Sequence, residues 1–124
     1  MGREKVLIGM IGEEFGAGYL KKKGYKILRR NFTTPFGEID AIAKKDGYTI
    51  FIEVKTRTTT SLGPPYLAVT YAKKRHIIKN ALFYLKRYGL VETYWRIDVV
   101  SVKLDSLYRL ENIEIIENAV EDNY

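Results

Sequence analysis

The sequence predicts an α/β fold in which two helices pack against one central mixed sheet. Three observations lead there. Apolar residues recur at helical spacing over 6–23 and again over 68–88. An Asp-Gly pair at 46–47 separates two alternating apolar runs. Two further runs rich in branched residues follow the second helical segment. At 124 residues the chain is read as one domain over 1–124, long enough to bury a sizeable core.

In the first helical segment Leu7, Met10, Ile11, Phe15, Tyr19 and Leu20 share the apolar spacing, and Gly24 provides a stop. Gly16 and Gly18 each weaken such a helix by about 1 kcal/mol relative to alanine, which points to close packing beside them. Residues 25–33, YKILRRNFT, read as a strand, and strands over 37–44 and 48–56 flank the Asp-Gly turn. The stretch 57–66, RTTTSLGPPY, has no period and reads as a loop. The second helix, over 68–88 and capped at Gly89, turns Ile77, Ala81, Leu82, Leu85 and Tyr88 inward. A strand over 94–104 and a short one near 113–116 complete the order. Asp98, in the inner run RIDVV, is read as a structural partner of Arg96 or of a lysine.

Composition narrows the chemistry. Hydrophobic residues make up 46% and charged residues 29%, the balance of a globular chain and not of a disordered one. The 21 Lys and Arg exceed the 15 Asp and Glu, for a net charge of +6; this favours a polyanion, nucleic acid first and anionic membrane second. There is no cysteine and a single histidine, His76. Zinc ribbons, disulfide frameworks and Cys nucleophiles are excluded, and any metal must be held by oxygen. The start of the chain lacks a signal pattern, and no run approaches 18 apolar residues. A cytoplasmic protein without a membrane partner is expected.

The hairpin GEIDAIAKKDGYTIFIEVKTR (37–57) carries the most chemistry. With Asp46 and Gly47 central in a tight turn, Asp40 comes opposite Glu53 and Glu38 opposite Lys55. Side chains alternate along a strand, so these four share one face, while Ile39, Ala41, Ile50, Ile52 and Val54 form the core face. Opposed like charges destabilise a cross-strand pair, so a cation is expected between Asp40 and Glu53. Two close carboxylates and a backbone carbonyl suit Mg²⁺, completed by water and substrate phosphate. Phosphodiester hydrolysis needs such a site, and an ammonium on the same face, Lys55, can orient water or offset transition-state charge. The alternative is a solvated hairpin face, on which Glu-x-Lys is common.

Six segments, GEEFGAGYL (12–20), GYKILRRNF (24–32), GEIDAIA (37–43), FIEVKTR (51–57), AVTYAKKRHI (68–77) and RIDVVSV (96–102), span nearly the whole chain. With EID and EVK on the second and third strands, the chain resembles the PD-(D/E)xK nuclease superfamily. More closely, it resembles the YraN-type bacterial family, itself similar to archaeal Holliday-junction resolvases. The resemblance implies a restriction-endonuclease-like α-β-β-β-α-β core, a central mixed sheet flanked by helices. It implies Asp40, Glu53 and the Val54 carbonyl as metal ligands, Lys55 as the catalytic lysine, and Glu13 near the metal. It also implies Mg²⁺, replaceable by Mn²⁺, DNA cleavage that extends to branched DNA, and a two-fold homodimer. Ile39 stands where the signature has proline, and Gly16 where the family has alanine. A nucleic-acid-binding module that keeps the fold but does not cut is the alternative.

Read from its own helix, Glu13 shares a stripe with Gly9, Gly16, Ala17 and Leu20, small neighbours that let this face approach the sheet. Glu14 lies about a hundred degrees round and is the weaker candidate. The second helix opens with Lys73, Lys74, Arg75 and Lys79, shortly after Arg57. If that helix flanks the charged face, these five meet phosphates. His76 is expected on the outer face or beside Tyr84.

Overall fold

The computed structural model describes residues 2–58, 63 and 65–120. In chain order these form α1 (Gly2–Lys22), β1 (Lys26–Thr34), β2 (Gly37–Lys45), β3 (Tyr48–Thr58), a 3-10 turn (Pro65–Ala68), α2 (Tyr71–Arg87), β4 (Trp95–Leu104) and β5 (Leu110–Ile116). The five strands make one sheet in the order β1-β2-β3-β4-β5. All neighbours are antiparallel except β3 and β4, which run parallel because α2 carries the chain back between them. The sheet is therefore mixed, and the α-β-β-β-α-β core of a restriction-endonuclease-like fold is present. No helix among the described residues is long and apolar enough to cross a membrane.

Asp46 and Gly47 adopt φ of 52° and 83°, positive at both positions as a two-residue type I′ turn requires. The register runs as the turn dictates, from Lys45 opposite Tyr48 to Ala41 opposite Ile52. Each face of the sheet carries a core. On one, Leu20 of α1 packs with Tyr25, Ala41, Ile50, Ile52 and Val100. On the other, Ile78, Ala81, Tyr84 and Leu85 of α2 pack with Ile42, Phe51 and Ile97. Covered on both faces, β4 is buried at every position from Ile97 to Val102, the polar Asp98 and Ser101 included.

Several boundaries differ from the sequence reading. β3 continues to Thr58 because its parallel ladder runs on to Thr58 opposite Leu104. The rest of the loop expected over 57–66 falls mostly on residues 59–62 and 64, outside the described residues. α2 starts at Tyr71 instead of 68, since the extended Thr70 caps it by accepting the Lys73 N–H at 3.3 Å. β5 begins at Leu110, held by pairing with β4 that no local signal announces. Tyr88, expected inside, is 39% exposed while it stacks on Tyr84 at 4.6 Å. Close helix–sheet packing occurs at Gly12 and Gly16 and not at Gly18, which faces open space.

One difference shapes the site. Alternation assigns Ile39 to the face of Ala41, yet Ile39 packs with Ile42 and Phe51 under α2. The cause lies at Asp40. β1 pairs with Ala41 and with Ile39 but skips Asp40, and the ladder to β3 stops at Ala41. Across from Asp40 on β1, Asn31 takes a left-handed φ of 52°. β2 turns over at this point, leaving an opening between β2 and β3.

Candidate functional site

The opening lies one residue beyond the last regular pair, where Asp40 and Glu53 would face each other. Instead of continuing the ladder, the Val54 N–H donates to Asp40 Oδ2 at 2.8 Å. In a strand a residue's N–H and C=O point to the same edge, so the Val54 carbonyl is directed into the same opening. The carboxyl groups of Asp40 and Glu53 come close enough that the charge on Asp40 bears directly on Glu53. Lys55 Nζ lies 3.4 Å from Glu53 Oε1, and the two side chains are only 24% and 20% exposed.

Crowding of acids sets the electrostatics. Burial pushes the Glu53 carboxyl up to about 7, with the Asp40 charge adding and Lys55 opposing. Asp40 is also raised, chiefly by burial, against the Val54 N–H and Lys55. Glu13 joins them from α1, and its carboxyl rises through burial first and then through Asp40 and Glu38. It reaches this position because α1 lies so close to β3 that a Cβ on Gly12 would land 1.8 Å from Thr56 Oγ1. With its amide turned to donate, Asn31 Nδ2 spans Glu13 Oε1 at 3.0 Å and Glu38 Oε1 at 3.1 Å. Glu14 points elsewhere and pairs with Arg30.

Among the described residues, no three His, Cys, Asp or Glu side chains form a group able to enclose an ion unaided. The donors fit a cation that takes two carboxylates and a carbonyl and keeps several waters, which is the habit of Mg²⁺. Oxygen-only donors and two carboxyls with raised proton affinity match a hard divalent ion. Glu13, engaged by Asn31, stands beside this set.

A cleft of about 440 Å³ opens over Glu53 and Lys55, with Glu38 on the sheet side and Lys73, His76 and Asn80 of α2 opposite. Helix two thus does flank the charged face. The Lys73 ammonium lies in the field of Lys55, whose charge is the main cause of a lowered Lys73 pKa; Arg57 adds to it. Of the five basic residues expected at phosphate, Lys73 lines the cleft and Arg57 lies within its field. Lys74, Arg75 and Lys79 are exposed on α2 and do not line it, and Arg75 lies over the Tyr71 ring. His76 lines the cleft and is exposed.

Asn80 is a site residue the sequence reading missed. It is 2% exposed and accepts a hydrogen bond from the Thr34 hydroxyl. The signal was a polar stripe, Lys73, His76 and Asn80, running beside the apolar one at helical spacing. Asp98 belongs to the other face: β4 aligns it with Ile52 and aligns Val99 with Glu53.

The profile of "Uncharacterised protein family UPF0102" matches residues 12–102. The chain belongs to this family. A UPF0102 protein of Clostridium botulinum is 42% identical over 113 residues, which cover 90% of this chain and 92% of the relative. One from Syntrophomonas wolfei is 46% identical over 98 residues, covering 79% and 85%. One from Desulfosudis oleivorans is 44% identical over 115 residues, covering 93% and 90%. The span matched by the UPF0102 profile holds Glu13, Asp40, Glu53, Lys55, Lys73 and Asn80 and ends before β5.

Proposed function

We propose that this UPF0102 protein is a Mg²⁺-dependent endonuclease of the PD-(D/E)xK type that hydrolyses phosphodiester bonds in DNA, with branched DNA such as four-way junctions as its substrate. The observation that carries the reading is the partly buried Asp40–Glu53 pair at the fork of β2 and β3, with Lys55 Nζ 3.4 Å from Glu53. Such an arrangement is unfavourable without a cation. Asp40, Glu53 and the Val54 carbonyl would hold the ion. When bound, Mg²⁺, or Mn²⁺ in its place, polarises a phosphoryl oxygen and neutralises the leaving oxygen.

The chain's own groups do the rest. Glu53 holds the Lys55 ammonium over the cleft, where it meets the extra negative charge of the transition state. Lys73 places a second cation beside it for an adjoining phosphate, and Arg57 extends the positive side. Two copies acting together would suit the two-fold symmetry of a junction.

The test is a panel of radiolabelled four-way junction, flap, duplex and single-stranded DNA incubated with Mg²⁺ or Mn²⁺. Cleavage should require the metal, and Asp40→Ala, Glu53→Ala or Lys55→Ala should slow it by at least ~100-fold. Cleavage that survives Glu53→Ala or Lys55→Ala comes from a contaminant and ends the assignment. Salt-sensitive binding without product under either metal would identify the non-cleaving module instead.

A further inference from the structure

We infer that Phe36 is a stacking platform for an unpaired nucleobase at the end of the cleft, so that the protein selects nucleic acid in which strands separate beside the scissile phosphate. The inference rests on the nucleic-acid reading above and adds to it the part of the substrate the site recognises. Phe36 is an aromatic side chain 47% exposed in the tight turn between β1 and β2. An exposed ring on a loose loop would mean little. This turn is fixed from three sides.

Thr34, which opens the turn, is buried; its hydroxyl donates to the Asn80 amide oxygen and accepts the Phe36 N–H at 3.0 Å. Gly37, which closes the turn, has φ of +147°, and a Cβ there would lie 2.8 Å from His76 Nε2. The Phe36 ring contacts Phe83 of α2 edgewise, with centroids 6.4 Å apart. Asn80 and His76, the groups that pin the turn, are also two of the residues that line the cleft. The ring is therefore held at the end of the cleft where Glu38 begins the acidic strand.

A rigid aromatic beside a phosphate-binding cleft suits a base, because every base offers a π-face and stacking needs no sequence. Lys79, exposed and one turn before Phe83 on the same helical face, would meet the phosphate next to the stacked base. This gives Lys79 a place that the cleft lining alone does not. A fully paired duplex keeps its bases stacked on one another and leaves Phe36 without a partner. A fork or flap, where one strand leaves the duplex, supplies one, and a four-way junction does so where a pair opens at its centre.

The experiment measures binding by fluorescence anisotropy in EDTA, so no cleavage is needed, with labelled duplex and a forked version carrying the same paired sequence. The wild-type protein should bind the fork more tightly. Phe36→Ala should weaken fork binding by about 10-fold and leave duplex binding where it was, while Phe36→Trp keeps the preference. A 2-aminopurine placed at the first unpaired position should change fluorescence on binding wild type but not Phe36→Ala. Equal loss on fork and duplex, or no loss on either, overturns the platform while leaving the nuclease reading intact. Failure of wild type to bind either DNA overturns the platform, while the cleavage panel with metal decides the nuclease reading separately. Circular dichroism melts of the variants establish that each is folded.

Discussion

Glu53 carries a proton further up the pH scale than a free glutamate, and the sign of the consequence can be worked out. A carboxyl raised by folding holds its proton in the folded state while the unfolded chain has released it. Its contribution to stability is complete below the ordinary carboxylate range and is lost as pH rises to about 7. Removing the ionisable group should therefore help at high pH. Glu53→Gln is expected to gain ~2 kcal/mol near pH ~8 and almost nothing near pH ~5, as read by thermal melts in EDTA; an equal gain at both would show that the raised proton affinity is not the cause. Mn²⁺ must displace that proton. Calorimetric affinity should rise with pH up to about 7, level off above it, and vanish in Asp40→Ala. The approach of Asp40 to Glu53 and Lys55 was legible in the sequence because the type I′ turn sets the register of β2 on β3 as far as Ala41 and Ile52, one residue short of the pair. The turnover of Ile39 was not, because it accompanies a break in pairing at Asp40 opposite a left-handed Asn31 on a different strand.

At the scale of the element, α1 shows how three glycines of like appearance differ. A Cβ at position 12 would overlap Thr56, one at 16 would sit 3.5 Å from Val54 Cγ2 in ordinary contact, and one at 18 would meet nothing. Gly12→Ala should cost about 3 kcal/mol as helix and sheet are forced apart, and it should also weaken Mn²⁺ binding by moving Glu13 and Thr56 away from the fork. Gly18→Ala should gain ~1 kcal/mol from helix propensity alone, and Gly16→Ala should be tolerated. Urea unfolding of the three variants checks the order; a tolerated Gly12→Ala would mean that α1 does not bear on β3 as described. Helical periodicity made α1 and α2 readable, and the Asp-Gly turn did the same for β2 and β3. Their ends were less so. β3 extends to Thr58 through a parallel ladder, and α2 is started by the Thr70 cap; the first depends on a strand some forty residues away.

Across the whole molecule the sheet separates two jobs. The face under α2 leads to the cleft, and the face under α1 carries a buried polar knot. Asp98, fully buried, accepts the Tyr25 hydroxyl at 2.7 Å, Arg96 Nε at 3.0 Å and the Asn118 N–H at 2.9 Å. It thereby joins the entry to β1, the start of β4 and the chain just after β5. The sequence reading of Asp98 as a structural partner of Arg96 holds, though its links to Tyr25 and Asn118 depend on a topology that puts the two ends of the sheet within reach. Deleting a partner from a buried charged network strands the groups left behind. Asp98→Ala should cost about 3–5 kcal/mol and lower Tm by more than about 10 °C. Register sets Asp98 beside Ile52 and turns it away from Glu53, so Mn²⁺ affinity measured well below the variant's melting temperature should match the wild type. Loss of metal binding in folded Asp98→Ala would mean that the two faces are coupled and that the knot helps to hold the fork between β2 and β3 open.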